Sequence, residues 1–493
     1  MKITKTEFAR RRKQLMAQLE PNSIAIVPTG DLRSRSRDTE YHFRHDSDFY
    51  YLSGFHEPEA VLVLVPKRKH GEYILFCRER DEERELWDGL RVGPEGSIEQ
   101  YGADDAFPID DIDEILPGLL EGRERVYYSL GRNSAFDQQV MEWVNAIRAK
   151  VRSGATPPGE FLDLDHLLHD MRLVKSAAEQ RLMKKAAEIS ADAHVRAMKY
   201  CQPGQYEYEL EAEIKHEFAS RGARHEAYNS IVGAGKNSCI LHYIENDSVM
   251  KEGDLVLIDA GCEFESYAAD ITRTFPVNGT YSKEQRALYN IVLEANRAAI
   301  AAVKPGVHWN KPHEVSVKVI TEGLVKLGLL KGSVSKLIKE EKYKAFYMHR
   351  IGHWLGMDVH DVGDYKVGGE WRVLEPGMVM TIEPGIYVSE SAKVPKKWKN
   401  IGIRIEDDVL ITKDGCEVLT DGVPKDPDEI ESLMAGEAEE KAPIKSKAKK
   451  TTAKKAKAPA KKTAVKAKAT AKPKKTSKAK PKAIRKEKSR AKK

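Results

Sequence analysis

The chain has 493 residues, 41% of them hydrophobic, which is enough material for roughly two to three domains with sizeable cores. No stretch approaches the roughly 20 consecutive apolar residues of a membrane span, and the opening segment MKITKTEFARRRKQLMAQLE lacks a signal-peptide core, so a cytoplasmic location is expected. The formal charge of +6 is divided unequally: of 82 Lys and Arg and 76 Asp and Glu, 24 and one (Glu487) lie after residue 440, so a tail of net +23 follows a body of net −17.

In chain order, a basic amphipathic helix is predicted over Phe8 to Leu19, followed by the short apolar runs SIAIV, AVLVLV, EYILFC and RVYYSL. Such runs between helical patterns predict an α/β domain, placed at 1–172, whose sheet is covered on both faces. A boundary is read in HDMRLVKSAAEQ, with Ser176 and the nearby Gln180 as a loose capping signal for a helix from Ser176 to Tyr200. A second helix, Tyr206 to Arg221, follows the turn at Pro203 and Gly204. DLVLIDAGCEFESYAADITRTF predicts a hairpin, 283–303 and 312–327 predict helices, and His349 to Leu419 predicts further strands, giving an α+β domain over 173–440. The region 441–493 is a low-complexity Lys/Ala/Pro array that cannot bury a core and is expected to be disordered. Cys77, Cys201, Cys239, Cys262 and Cys416 are odd in number and form no CxxC pair, which predicts neither a disulfide framework nor a zinc knuckle.

Chemistry concentrates in the second domain. Asp259 closes LVLID and Asp270 lies in YAADITRTF, so a hairpin would bring both carboxylates to one face. Alone, that pair is more often two turn residues than a site. MHRIGHWLGMDVHD adds His349, His353 and His360, while TIEPGIY and IGIRIEDD add Glu383 and Glu406 inside apolar, strand-like runs. An ionised carboxylate there is costly without a metal or cationic partner. The spacing of His349 and His353 fits a helical zinc pair, but Gly352 and Gly356 interrupt that helix, so strand or loop geometry is expected.

These segments resemble aminopeptidase P of the pita-bread metallopeptidases, whose relatives include prolidase and methionine aminopeptidase. SRDTEYHFRHDSDFYYLSGF is similar to that family's N-terminal domain. The resemblance implies a pita-bread catalytic domain with Asp259, Asp270, His353, Glu383 and Glu406 as metal ligands. It also implies that His242 and His360 are proton-carrying hydrogen-bond donors at the scissile peptide, that His349 lies near the proline-side pocket, and that Glu383 doubles as general base. Arg404, two residues before Glu406 on a strand, can hold a metal-bound carboxylate. Tyr365 is placed at the proline pocket's rim, and Asp38 and Trp87 resemble residues that approach a neighbouring active site in an oligomer. YKVGGEWR, after Tyr365, departs from the family by an insertion and the loss of an arginine.

Four carboxylates and one imidazole form a hard donor set that best suits manganese-like ions, and two divalent ions balance its four negative charges. A water bridging two such ions is hydroxide-like near neutrality and attacks an amide carbonyl. The expected activity is therefore Xaa-Pro aminopeptidase, acting as a homo-oligomer, with prolidase as the near alternative and a catalytically idle nucleic-acid-binding scaffold as the distant one. VGAGKNS is no phosphate loop, because Ser230 stands where the first glycine belongs. HEFAS and HEVSV lack the second histidine of zincin helices. The tail predicts salt-sensitive, sequence-independent binding to nucleic acid or another polyanion, without aromatic side chains for base stacking.

Overall fold

The apolar runs of the N-terminal part form a six-stranded sheet because its central strands, Ser23–Pro28, Val61–Leu64 and Tyr73–Cys77, have two apolar faces to bury. In a computed structural model that describes residues 2–436, its strands lie in the order Asp105–Pro108, Tyr73–Cys77, Val61–Leu64, Ser23–Pro28, Arg125–Tyr127, Glu160–Leu162. The sheet is mixed: Ser23–Pro28 runs antiparallel to Val61–Leu64 and parallel to Arg125–Tyr127. Ile24, Ile26, Val61, Val63, Ile74 and Phe76 enter one core; Ala25, Val27, Leu62, Leu64, Leu75 and Cys77 enter the other. That division is the signature of a sheet covered on both sides. The second of these cores also contains Tyr267, Ala268, Leu355 and Met357, so the sheet packs directly on the later part of the chain.

The first helix runs Lys5–Met16, earlier than expected, because Thr4 accepts a hydrogen bond from the Glu7 N–H and caps it there. It is not a solvated basic helix: Arg11 and Arg12 are buried, and Arg11 lies 3.4 Å from Glu179. Helix Ala177–Tyr200 begins at Ser176 as expected, but its capping partner is Glu179 and not Gln180, since the third helical residue is the one that reaches back to the cap N–H.

Beyond it, helices Glu207–Ser220 and Lys283–Ala302 pack against small antiparallel sheets, and Lys311–Lys326 packs on Lys283–Ala302. The predicted hairpin forms, with Ile258 opposite Arg273 and Asp259 opposite Thr272, but the residues between its strands make a second hairpin, Cys262–Phe264 with Tyr267–Ala268. Val379–Ile382 pairs with Asp407–Ile411, and Gly385–Val388 with Ile401–Arg404. The five cysteines are free. No described helix is long and apolar enough to cross a membrane. The basic tail, 441–493, lies outside the described residues.

Candidate metal centre

Sheet register brings the acidic residues together. One ladder ends at Ile382 opposite Asp407, and the next begins at Gly385 opposite Arg404. Glu383 and Glu406 thus occupy facing breaks between the two ladders. Asp259 ends its strand, and Asp270 lies just before the strand that pairs with it. The segment 349–353 is extended and not helical: the Thr381 N–H donates to the His353 carbonyl at 2.9 Å and the Glu383 N–H to the Ile351 carbonyl at 2.7 Å. Gly352 is required there, because a Cβ would stand 2.0 Å from the Thr381 carbonyl oxygen.

The five expected ligands, Asp259, Asp270, His353, Glu383 and Glu406, line one cavity of about 420 Å3. His353 Nε2 is 3.4 Å from Asp270 and 3.8 Å from Glu383. Its Nδ1 lies 2.9 Å from the Trp354 carbonyl, which assigns the proton to that nitrogen and leaves Nε2 facing the carboxylates. Carboxylate and imidazole atoms of Asp270, His353 and Glu406 lie within 4.8 Å of one another.

The buried acids strain against their own charge. Burial and the neighbouring Asp270 and Glu383 raise Glu406 well above the usual carboxylate range, and burial and Asp259 raise Asp270. Burial carries Glu383 up to about 7 despite His353 and Arg404. Against the opposing cost of burial, Asp270 and Glu383 raise His353 to about 9. Asp259 alone is lowered: burial opposes ionisation, but Arg404 outweighs it. Arg404, 4% exposed, donates from Nη2 to Asp259 (2.5 Å), from Nε to the Thr272 hydroxyl (3.0 Å) and from Nη1 to the Tyr387 hydroxyl (2.9 Å). Thr272 in turn donates to Glu406 at 2.6 Å. Of the cavity's groups, Arg404 and the raised His353 are the cations paired with the four carboxylates, so the donor set fits additional cations, and hard divalent ions in particular.

His242, His349 and His360 line the same cavity. The His360 ring lies edge-on to His353 with centroids 4.2 Å apart, and burial followed by the His353 charge lowers its pKa. His349 lies 3.0 Å from the Tyr387 hydroxyl and 3.6 Å from Glu383; burial and Arg404 hold it at about 3, hence neutral.

Three expected site residues lie elsewhere. Tyr365 is not in the cavity wall: its ring stacks on Trp354 and its hydroxyl accepts from the Trp354 N–H at 3.1 Å. Asp38 is on an exposed loop, and Trp87 is 88% exposed on helix Glu82–Asp88. Conversely, Tyr228, Asn229, Ile231, Leu241, Ile244 and Arg350 line the cavity without having been read from the sequence. Tyr228 donates to the Asp259–Asp270 pair, and Arg350 lies over the Trp371 ring at 4.7 Å. Tyr228 belongs to no motif, and Arg350 stands unremarked inside MHRIGHWLGMDVHD.

A cavity lined by four carboxylates and a histidine, on a fold of this kind, defines a metallohydrolase. The profile of metallopeptidase family M24 matches residues 181–413, and that of the aminopeptidase P N-terminal domain matches residues 8–127. The chain belongs to the M24 metallopeptidases, on their aminopeptidase P branch, with the pita-bread fold, and is a metallo-aminopeptidase. It is 47% identical to the Xaa-Pro aminopeptidase of Escherichia coli K12 over 433 residues, 88% of this chain and 98% of that protein. It resembles the solved Pseudomonas aeruginosa aminopeptidase PepP at 65% identity and a TM-score of 0.88, covering 89% of this chain and all of that one. A zinc-substituted E. coli aminopeptidase P with bound product is 46% identical with a TM-score of 0.87, covering 89% of this chain and 100% of that one.

Proposed function

We propose that the protein releases the N-terminal residue from peptides with proline in second position, using two divalent ions, manganese in preference, held by Asp259, Asp270, His353, Glu383 and Glu406. The observation that carries this reading is the convergence of those five side chains in one cavity with too little positive charge of their own. Its support from relatives is their name, Xaa-Pro aminopeptidase, at near full-length coverage. Held by these five residues, the ions would supply Lewis acidity, lowering the pKa of water and polarising a peptide carbonyl.

The chain's own side chains do the rest. Arg404 fixes Asp259, and through Tyr387 it fixes the neutral His349 beside Glu383. Glu383 takes a proton from the attacking water. His242 and His360, both exposed at the cavity, present N–H groups to the carbonyl oxygen as it gains charge, and the proton that Glu383 takes is relayed by way of His360 to the leaving proline nitrogen. An Xaa-Pro bond has no N–H and a fixed ring, so a shaped pocket must replace the usual backbone grip. Ile231, Leu241, Ile244 and Val359 give this cavity an apolar wall suited to the ring.

Leu86, Trp87 and Leu90 are each more than 80% exposed, at 86%, 88% and 84%, which supports a homo-oligomer in which Trp87 and Asp38 reach a neighbouring copy's site. The division at residues 172 and 173 separates the binding of that neighbour from the chemistry. Tyr365 acts by bracing Trp354. The tail's charge supports binding to nucleic acid or another polyanion. The metal-stripped enzyme with manganese restored is expected to cut Xaa-Pro-Xaa tripeptides. Cleavage confined to Xaa-Pro dipeptides would make it a prolidase, and inertness on both would favour the polyanion-binding scaffold.

A further inference from the structure

The loop Trp354–Asp361 follows His353 and carries His360, and its two carboxylates, the half-exposed Asp358 and the buried Asp361, both pair with the buried Arg172. The Asp361 carboxylate, 1% exposed, accepts from Arg172 Nη2 at 2.6 Å and from Lys175 Nζ at 2.9 Å. Arg172 also donates to Asp48 at 2.8 Å and to Asp358 at 2.8 Å, and Asp48 is shared with Arg132 at 2.8 Å. The other Asp358 oxygen accepts from the Ser47 hydroxyl at 2.6 Å, and Arg44 donates to the Met357 carbonyl at 3.0 Å. The buried Asp48 and Asp361 are thus paired with the buried Arg172 and Lys175, while the half-exposed Arg132, shared with Asp165, and Asp358 lie at the cluster's edge.

The loop is shaped around this cluster. The Asp361 N–H donates to the Trp354 carbonyl at 2.9 Å, closing the loop. Gly356 leaves the space in which the Asp361 carboxylate lies: a Cβ there would be 2.0 Å from Asp361 Oδ2 and 2.9 Å from Lys175 Cε. His360, by contrast, is exposed to the cavity and has no hydrogen bond of its own to fix it among the described residues. Its ring is placed by the contact with His353 and by the backbone on either side, which the Asp361 N–H to Trp354 carbonyl bond fixes.

We propose that Asp361 is a positioning residue for His360, clamped by Arg172 and Lys175 and braced from the N-terminal part by Arg44, Ser47 and Asp48. The first 50 residues thereby act on the chemical step without touching substrate. This rests on the reading of His360 as proton carrier.

The test uses the full-length, metal-loaded enzyme carrying Asp361→Asn, which keeps the shape and loses the charge, and separately Ser47→Ala at the milder, far end of the clamp. Asp361→Asn is expected to lower kcat on an Xaa-Pro-Xaa peptide about 10-fold to 100-fold with KM within about 2-fold, and Ser47→Ala to show the same pattern several-fold weaker. In a His360→Ala background, Asp361→Asn is expected to cost nothing further. An equal loss in both backgrounds overturns the proposal, as does unchanged kcat in both variants. A crystal structure of Asp361→Asn supplies an arm independent of activity: His360 is expected to leave its 4.2 Å contact with His353, and an unmoved ring overturns the proposal. Absence of hydrolysis by the unsubstituted enzyme would count against the proposed function instead.

Discussion

Replacing Arg404 by Met tests how the site manages its negative charge. The guanidinium is buried and donates to Asp259, Thr272 and Tyr387, while four carboxylates surround the cavity. Its removal leaves Asp259 buried without its cation, a loss of about 3–5 kcal/mol in the metal-free protein. Divalent ions return the missing positive charge, so the loss should shrink when metal is present. The stabilisation gained on adding manganese is therefore expected to be larger in the variant than in the parent. Urea unfolding of both proteins, with chelator and with manganese, followed by circular dichroism, measures the four stabilities. Arg404→Lys keeps the charge but not the planar fork, and is expected to fall between the two. A metal-free variant as stable as the parent, or an equal metal gain in both, would refute the charge argument.

Asp270→Ala is expected to abolish hydrolysis while circular dichroism stays that of the parent; activity surviving it would remove Asp270 from the ligand set. Gly352→Ala puts a Cβ 2.0 Å from the Thr381 carbonyl and must displace His353, so a loss of about 100-fold or more in kcat is expected in steady-state assays. His45, stacked 4.1 Å from the Tyr50 ring and 3.0 Å from Ser266, has its pKa lowered by burial and by Arg44 from 6.5 to about 2. The unfolded chain takes up that proton below pH 6.5 and the folded one does not, so stability is full above 6.5 and falls by about 1.4 kcal/mol per unit below it. His45→Gln should flatten the stability profile between pH 6.5 and pH 4, and an unchanged slope would contradict the assignment. Removing residues 441–493 is expected to leave kcat/KM unchanged while abolishing salt-sensitive retention on a polyanion column.

Much of the site was legible because its chemistry is carried by short motifs at strand ends. Asp259 and Asp270 announced a hairpin, and Glu383 and Glu406 stood out as acids in apolar runs. The covered sheet was legible in AVLVLV and EYILFC, where no face is polar. Pairings between distant segments were not. Arg172 meets Asp48 across 124 positions and Asp361 across 189, and no local pattern encodes such a meeting. Tyr228 was missed because a tyrosine before a strand is ordinary until the fold sets it between two aspartates. Glu179 was passed over for Gln180 by one position, although the reach of a capping box favours the third helical residue. Tyr365 was read by its likeness to a pocket residue, whereas aromatic packing directs its hydroxyl to the Trp354 backbone.

Stripping the full-length protein of metal, restoring manganese, and following release of the first amino acid from an Xaa-Pro-Xaa tripeptide decides whether the cavity is a metallo-aminopeptidase site for proline peptides. No release is expected without metal, and release of the first residue is expected once metal returns. Hydrolysis that is indifferent to metal, or none on either tripeptide or dipeptide after reloading, would contradict it.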